Sequence, residues 1–205
     1  YIFSDNELKK IFNVCNNIDF NIYPKIEKYT IILKILYSTG MRVGEVIKLQ
    51  VKDIDLDNNT FFIKNAKNNK DRKIPIHENI TFLVKEYILK KKKFNQEEYI
   101  FSNRYGKPID NSTVYEYFRR ILWKAGIHHN GKGPRLHDFR HTYCVHKLKE
   151  WVLEGKDVTA LFPYLCAYMG HADTRCTEYY LRLTADLYPD IITKTEKFFN
   201  GGNDE

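Results

Sequence analysis

Three short runs of the chain place cations, imidazoles and phenols at spacings suited to chemistry on a phosphate. In Thr39-Gly-Met-Arg42-Val-Gly-Glu45 a glycine break puts Arg42 in the first turn of a helix. There, free backbone N–H groups and a guanidinium can converge on one anion. The same spacing also allows a plain i,i+3 surface pair between Arg42 and Glu45. In His137-Asp-Phe-Arg140-His141, positions 137, 140 and 141 share a helical face, so two imidazoles and a guanidinium can line one pocket. That arrangement admits a phosphate grip, or simply a helix with one buried and one exposed histidine. The i,i+4 pair His137 and His141 also has zinc-ligand spacing, but the usual general-base Glu is missing and Arg140 would set a fixed charge beside the metal. In Met169-Gly170-His171, followed by Thr174-Arg-Cys-Thr-Glu178-Tyr179-Tyr180, the glycine ends a helix and His171 lies in the turn. Adjacent helical residues point about 100° apart, so one tyrosine at most faces a given pocket. By itself such a pair fits core or interface packing.

The elements needed to hold these groups are mainly helical. Ser4-x-x-Glu7 is a capping box opening a helix to about Asn16, with Leu8, Ile11, Phe12 and Cys15 on one face. Pro24 starts a second helix that runs to Gly40, and Met41 to Gln50 reads as a further short one. Asp53 to Asn59 is turn-rich, Thr60 to Ile63 has strand composition, and Ile74-Pro75-Ile76 closes a small antiparallel sheet. Its tip carries Lys64, Lys67, Lys70, Arg72 and Lys73. Helical periodicity returns over Ile80 to Phe94, after Asp110 or Ser112 as far as Gly126, and from His137 to Glu154. Tyr99 to Phe101 reads as a brief strand. Further helices are expected over 158–169, 175–183 and 185–199. The fold class is therefore mainly α with a small antiparallel β-sheet, in one continuous domain.

Composition narrows the partners. Of 205 residues 43% are hydrophobic and 29% charged, which suits a globular protein rather than a disordered chain. Lys and Arg number 33 against 26 acids, a net charge of +7, so a polyanion such as nucleic acid is the natural partner. No apolar run approaches the roughly 20 residues that span a bilayer. Cys15, Cys144, Cys166 and Cys176 lack metal-binding spacing and read as reduced thiols of a cytoplasmic protein.

Taken together, Arg42, a basic hairpin with Lys67, His137-x-x-Arg140, His171 and Tyr180 nine residues later resemble the tyrosine recombinase (phage integrase) family. The resemblance runs from about Phe3 to Thr184 and covers the family's catalytic domain and fold. It implies that Arg42 and Arg140 hold the scissile phosphate and that His137 and His171 are the two site histidines. Lys67, in Ala66-Lys67-Asn-Asn-Lys-Asp-Arg72-x-Ile-Pro75, is the hairpin lysine. Tyr180 is the nucleophile, preferred to Tyr179 by the histidine-to-tyrosine spacing, and Glu45 orients Arg42. Ala66, Met169 and Cys176 replace a frequent glycine, leucine and threonine, and none of these changes removes a catalytic group. The expectation is a single catalytic domain over residues 1–205 with a C-terminal helix at about 186–199; the N-terminal DNA-clamping domain such recombinases carry lies outside this chain.

The implied activity is site-specific cutting and rejoining of double-stranded DNA through a covalent 3′-phosphotyrosine. Neither metal, ATP nor another cofactor is expected. Tyr180 attacks phosphorus, His137 accepts its proton, and Lys67 protonates the departing 5′-hydroxyl, with Arg72 as the alternative donor. The resemblance further implies assembly into dimers or tetramers on DNA in a nucleoid-associated bacterial protein, with the helix at 186–199 either docking into the neighbouring subunit or packing on its own domain. The run Tyr180-Leu-Arg-Leu-Thr184 and the segment 148–168 look more like mobile-element integrases than chromosome-dimer resolvases. A topoisomerase IB-like relaxing enzyme and a DNA-binding module that no longer cuts are the alternatives.

Overall fold

The computed structural model describes residues 1–19, 24–64, 71–91, 95–128, 131 and 133–170. The chain enters through the Ser4 capping box: the Glu7 amide donates to Ser4 Oγ at 3.3 Å, and the Ser4 amide donates to Glu7 Oε2 at 2.8 Å. Helix α1 (Asp5–Asn16) then buries Leu8, Ile11 and Cys15. Helix α2 (Pro24–Thr39) is the central element, with Ile32, Leu33, Ile35 and Leu36 buried, packed against the helices described below.

A four-residue helix, α3 (Val43–Val46), follows Gly40, shorter than the Met41-to-Gln50 helix expected. The chain turns after Ile47 because Leu49 joins the core and Gln50 bridges to Tyr99, which a continued helix would prevent. A 3₁₀ turn (Val51–Asp53) leads to β1 (Ile54–Asp55), β2 (Thr60–Ile63) and β3 (Arg72–Pro75), an antiparallel sheet in that order. The stretch read as turn-rich thus contributes a short first strand, and its turn keeps Asn59 at φ 49°, a conformation asparagine tolerates. Phe61 faces Ile74 and Ile63 faces Arg72, so these four share the inward face.

Helices α4 (Glu78–Leu89) and α5 (Asn111–Lys124) lie against α2. Tyr99 and Ser102 form only isolated bridges in place of the expected strand, because each pairs with a different segment, Gln50 and Pro108. Helix α6 (Asp138–Leu153) spans two cores. Its first turn sends Phe139 into the main core, stacked on Phe3 at 4.9 Å and edge-on to Phe118 at 5.6 Å. Its later turns send Cys144, Val145, Leu148 and Val152 into a second core, closed by Val158, Leu165 and Met169 of α7 (Val158–Met169). Among the described residues the architecture is mainly α with this small antiparallel sheet, as expected, and no helix is long and apolar enough to cross a membrane.

Candidate functional site

The end of α7 is where the scattered cations meet. Gly170 takes the left-handed conformation (φ 64°) and stops the helix. The last carbonyls of a helix have no partner within it and carry the negative end of its dipole. Here three arginines, from three distant parts of the sequence, take one carbonyl each. Arg72 Nε donates to the Tyr168 carbonyl at 3.1 Å, Arg140 Nη2 to Met169 at 2.6 Å, and Arg42 Nη2 to Gly170 at 3.2 Å. His171 is the next residue in the chain.

Glu45 joins two of these arginines. It accepts the Arg42 backbone N–H at 2.9 Å and Arg42 Nη1 at 3.0 Å. It also accepts both terminal nitrogens of Arg72, at 3.1 and 2.9 Å, in a fork-to-fork pair. Burial would raise the Glu45 carboxyl, but the Arg72 hydrogen bonds, the Arg42 N–H and both charges outweigh it and hold the group below its ordinary range. Among the described residues, three guanidiniums and this carboxylate, which pairs with Arg42 and Arg72, gather at the end of α7. That is a field for an anion. Arg42 lines a cleft of about 480 Å³ together with Glu45, Lys48, Asp53 and Lys64, the last paired with Asp53 at 2.9 Å. Of the two readings of Arg42, the i,i+3 pair with Glu45 is formed, and the Arg42 backbone N–H is taken by the same carboxylate.

Arg140 lies beneath, 2% exposed, with Nη1 donating to the Gly40 carbonyl at 2.7 Å. Gly40 is required twice over. Its φ is 61°, and a Cβ there would lie 2.7 Å from Tyr143 Cδ1. The break read as an arginine-presenting turn therefore also supplies the carbonyl that anchors the second arginine.

His137 precedes α6 at the surface, its ring edge-on to His141 with centroids 4.6 Å apart. Partial desolvation, then the charge of Arg140 and more weakly that of Arg42, push its pKa below the usual imidazole value despite Asp138. The ring is neutral at pH 7 and can accept a proton, and both arginines act on it electrostatically. His141 is pushed down to about 4, by burial first and His137 second. Among the described residues, no group of three His, Cys, Asp or Glu is placed to hold a metal ion.

Of the predicted site residues, Arg42 and Arg140 thus meet at the end of α7, and His137, one turn before Arg140, feels the charge of both. Lys67, His171, Tyr180 and its rival Tyr179 lie outside the described residues, as does the helix expected at 186–199. Arg72 is a correction. It sits in β3, not at the hairpin tip, and its side chain is 11% exposed. The period-2 alternation Arg72-x-Ile74 carried that information, because Ile74 is a core residue and Arg72 must share its face.

Comparison with known proteins follows the same outline. The model of the phage integrase family matches residues 2–186. The tyrosine recombinase XerA of Saccharolobus solfataricus is 31% identical over 180 residues, covering 88% of this chain and 51% of that protein. A crystal structure of XerA recombinase superposes with a TM-score of 0.72 at 24% identity, covering 95% of this chain and 65% of the other. The Tn1549 transposon integrase, solved in complex with transposon right end DNA, gives a TM-score of 0.66 at 20% identity, covering 88% of this chain and 60% of the other. The chain spans between about half and two thirds of the length of the curated relatives it matches.

Proposed function

The chain belongs to the phage integrase family, and on that premise we propose that it forms the catalytic domain of a tyrosine-type site-specific recombinase that cuts and rejoins double-stranded DNA. The observation that carries this reading is the convergence of Arg42, Arg72 and Arg140 on the end of α7, one residue before His171. A phosphodiester moving toward a five-coordinate transition state gathers negative charge on its nonbridging oxygens. Guanidiniums fixed in advance stabilise that charge without reorganising. Arg42 offers its charge from the open side and Arg140 from below.

In the proposed reaction the phenolic oxygen of Tyr180 forms a bond to phosphorus while the bond from phosphorus to the 5′ oxygen breaks. The phenol, with an ordinary pKa of about 10, passes its proton to neutral His137 as it attacks. Lys67 supplies a proton to the departing 5′ oxygen, and His171 hydrogen-bonds the phosphoryl oxygens. The product is a 3′-phosphotyrosine, and attack by a 5′-hydroxyl of a partner strand reverses the step. Exchange between two duplexes calls for several protomers, and residues 186–199 are the proposed contact between them. Deleting residues 186–205 is expected to abolish assembly on DNA while leaving the monomer folded, as read by native sizing with and without DNA. Assembly that survives the deletion would reject this contact. The transposon integrase neighbour supports a role in moving a genetic element.

The test is a plasmid carrying the DNA that flanks the gene, incubated with protein in EDTA and run on a denaturing gel. A covalent protein–DNA band is expected from the wild type and not from Tyr180→Phe. A band that persists in Tyr180→Phe moves the nucleophile to Tyr179 or elsewhere. A strict need for a divalent metal overturns the mechanism.

A further inference from the structure

We propose that Arg72 is a positioning residue of this site: it locks Glu45, and through it Arg42, to the end of α7, and so fixes the strand after Lys67 against the residue before His171. The inference rests on the recombinase reading for its consequence in catalysis, but the lock itself is a matter of geometry. Arg72 Nη1 and Nη2 donate to the two oxygens of Glu45 at 3.1 and 2.9 Å, while Nε donates to the Tyr168 carbonyl at 3.1 Å. Three of its five donors are thus used in one plane, with two targets from different elements.

The surroundings are shaped to this guanidinium. A Cβ on Gly170 would lie 2.7 Å from Arg72 Nη1 and 2.9 Å from Cζ, so the helix end passes directly over the group. Opposite Ile63 and on the face of Ile74, Arg72 is aimed inward by the register of the hairpin itself. A lysine offers three donors on a point charge and no planar fork, so it can satisfy either Glu45 or the Tyr168 carbonyl, not the full set. The same facts remove Arg72 from the role of proton donor. A guanidinium does not give up its proton in a protein, and the side chain is 11% exposed with three of its donors engaged.

Two readouts test this on the 205-residue chain, comparing wild type with Arg72→Lys, Glu45→Gln and the double variant. The first is hydrogen exchange at the Arg42 amide, which donates to Glu45, and at the amides of residues 166–170. Both are expected to exchange faster in Arg72→Lys, and unchanged exchange overturns the lock. The second is the rate of covalent adduct formation on DNA with an ordinary 5′ oxygen and with a bridging 5′ sulfur, whose thiolate leaves without a proton. We expect Arg72→Lys to slow the adduct about 10- to 100-fold with DNA affinity nearly unchanged, the scale of a small misplacement of reacting groups. The sulfur substrate is expected to give no rescue, and the double variant to be no slower than the slower single one. Rescue by sulfur would make Arg72 a proton donor, and additive losses would separate it from Glu45; either overturns the proposal. If the wild type forms no adduct on any DNA, the strand-cleavage reading fails, and the exchange data alone decide the lock.

Discussion

A fully buried guanidinium such as Arg140 is costly to desolvate, and its place in this protein depends on the partners it finds. Charge-assisted bonds to the Gly40 and Met169 carbonyls, at 2.7 and 2.6 Å, satisfy two oxygens that a helix break and a helix end leave open. The charge then acts on its neighbour His137, which it helps to keep neutral. His141 shows the consequence for stability. Its folded pKa of about 4 lies below the ordinary value of 6.5, so between those values the unfolded chain binds more protons than the folded one. Stability contributed by the neutral ring is complete above pH 6.5 and is lost as the pH falls toward 4. The full shift corresponds to about 3 kcal/mol at most, and to less in practice because the ring keeps 21% of its exposure. Urea midpoints at pH 7, 5.5 and 4.5 are expected to fall steadily, and His141→Gln to flatten that slope. A slope unchanged in His141→Gln would place the acid sensitivity elsewhere.

At the scale of elements, the site depends on two helix ends meeting. Helix α2 stops at Gly40 and α7 at Gly170, both with positive φ, and each stop exposes a carbonyl to an arginine. Gly40 and Gly44 differ sharply despite being four residues apart. Gly40→Ala adds left-handed strain and drives a methyl against Tyr143, and is expected to cost about 2–4 kcal/mol in urea unfolding. Gly44 lies inside α3, and a methyl there would meet nothing within 4 Å, so Gly44→Ala is expected to stabilise by about 0.5–1 kcal/mol. Equal effects at the two positions would refute this account of the α2–α3 junction. Helix α6 joins the scales: Phe139 anchors its first turn in the main core, which fixes where Arg140, the next residue, emerges.

For the whole molecule, the excess of 33 basic over 26 acidic residues acts at long range, while the arginine cluster acts at contact distance. Binding to duplex DNA releases condensed cations in proportion to the phosphates neutralised. The logarithm of affinity is therefore expected to fall with the logarithm of salt concentration, with a slope of about −3 or steeper. A titration at several salt concentrations measures it, and a flat response would mean that the basic excess does not face DNA.

Much of this was legible from the order of residues alone. The capping box at Ser4, the break at Gly40, the α6 motif and the inward periodicity of the helices are local, set by backbone preferences and side-chain spacing within a few residues. The order Arg42, Lys67, His137, Arg140, His171 and Tyr180 carried the resemblance to the phage integrase family, which the family model over residues 2–186 bears out, and the tasks expected of the single residues came through that resemblance. The short α3, the added strand β1 and the isolated bridges at Tyr99 and Ser102 were not legible, since long-range pairing overrode local propensity there. Nor was the junction at α7, where carbonyls of residues 168–170 meet arginines 42, 72 and 140. No local pattern encodes such a meeting. A helix end needs partners and a buried guanidinium needs acceptors, but which one satisfies which is decided only when the packed cores bring them within hydrogen-bonding distance.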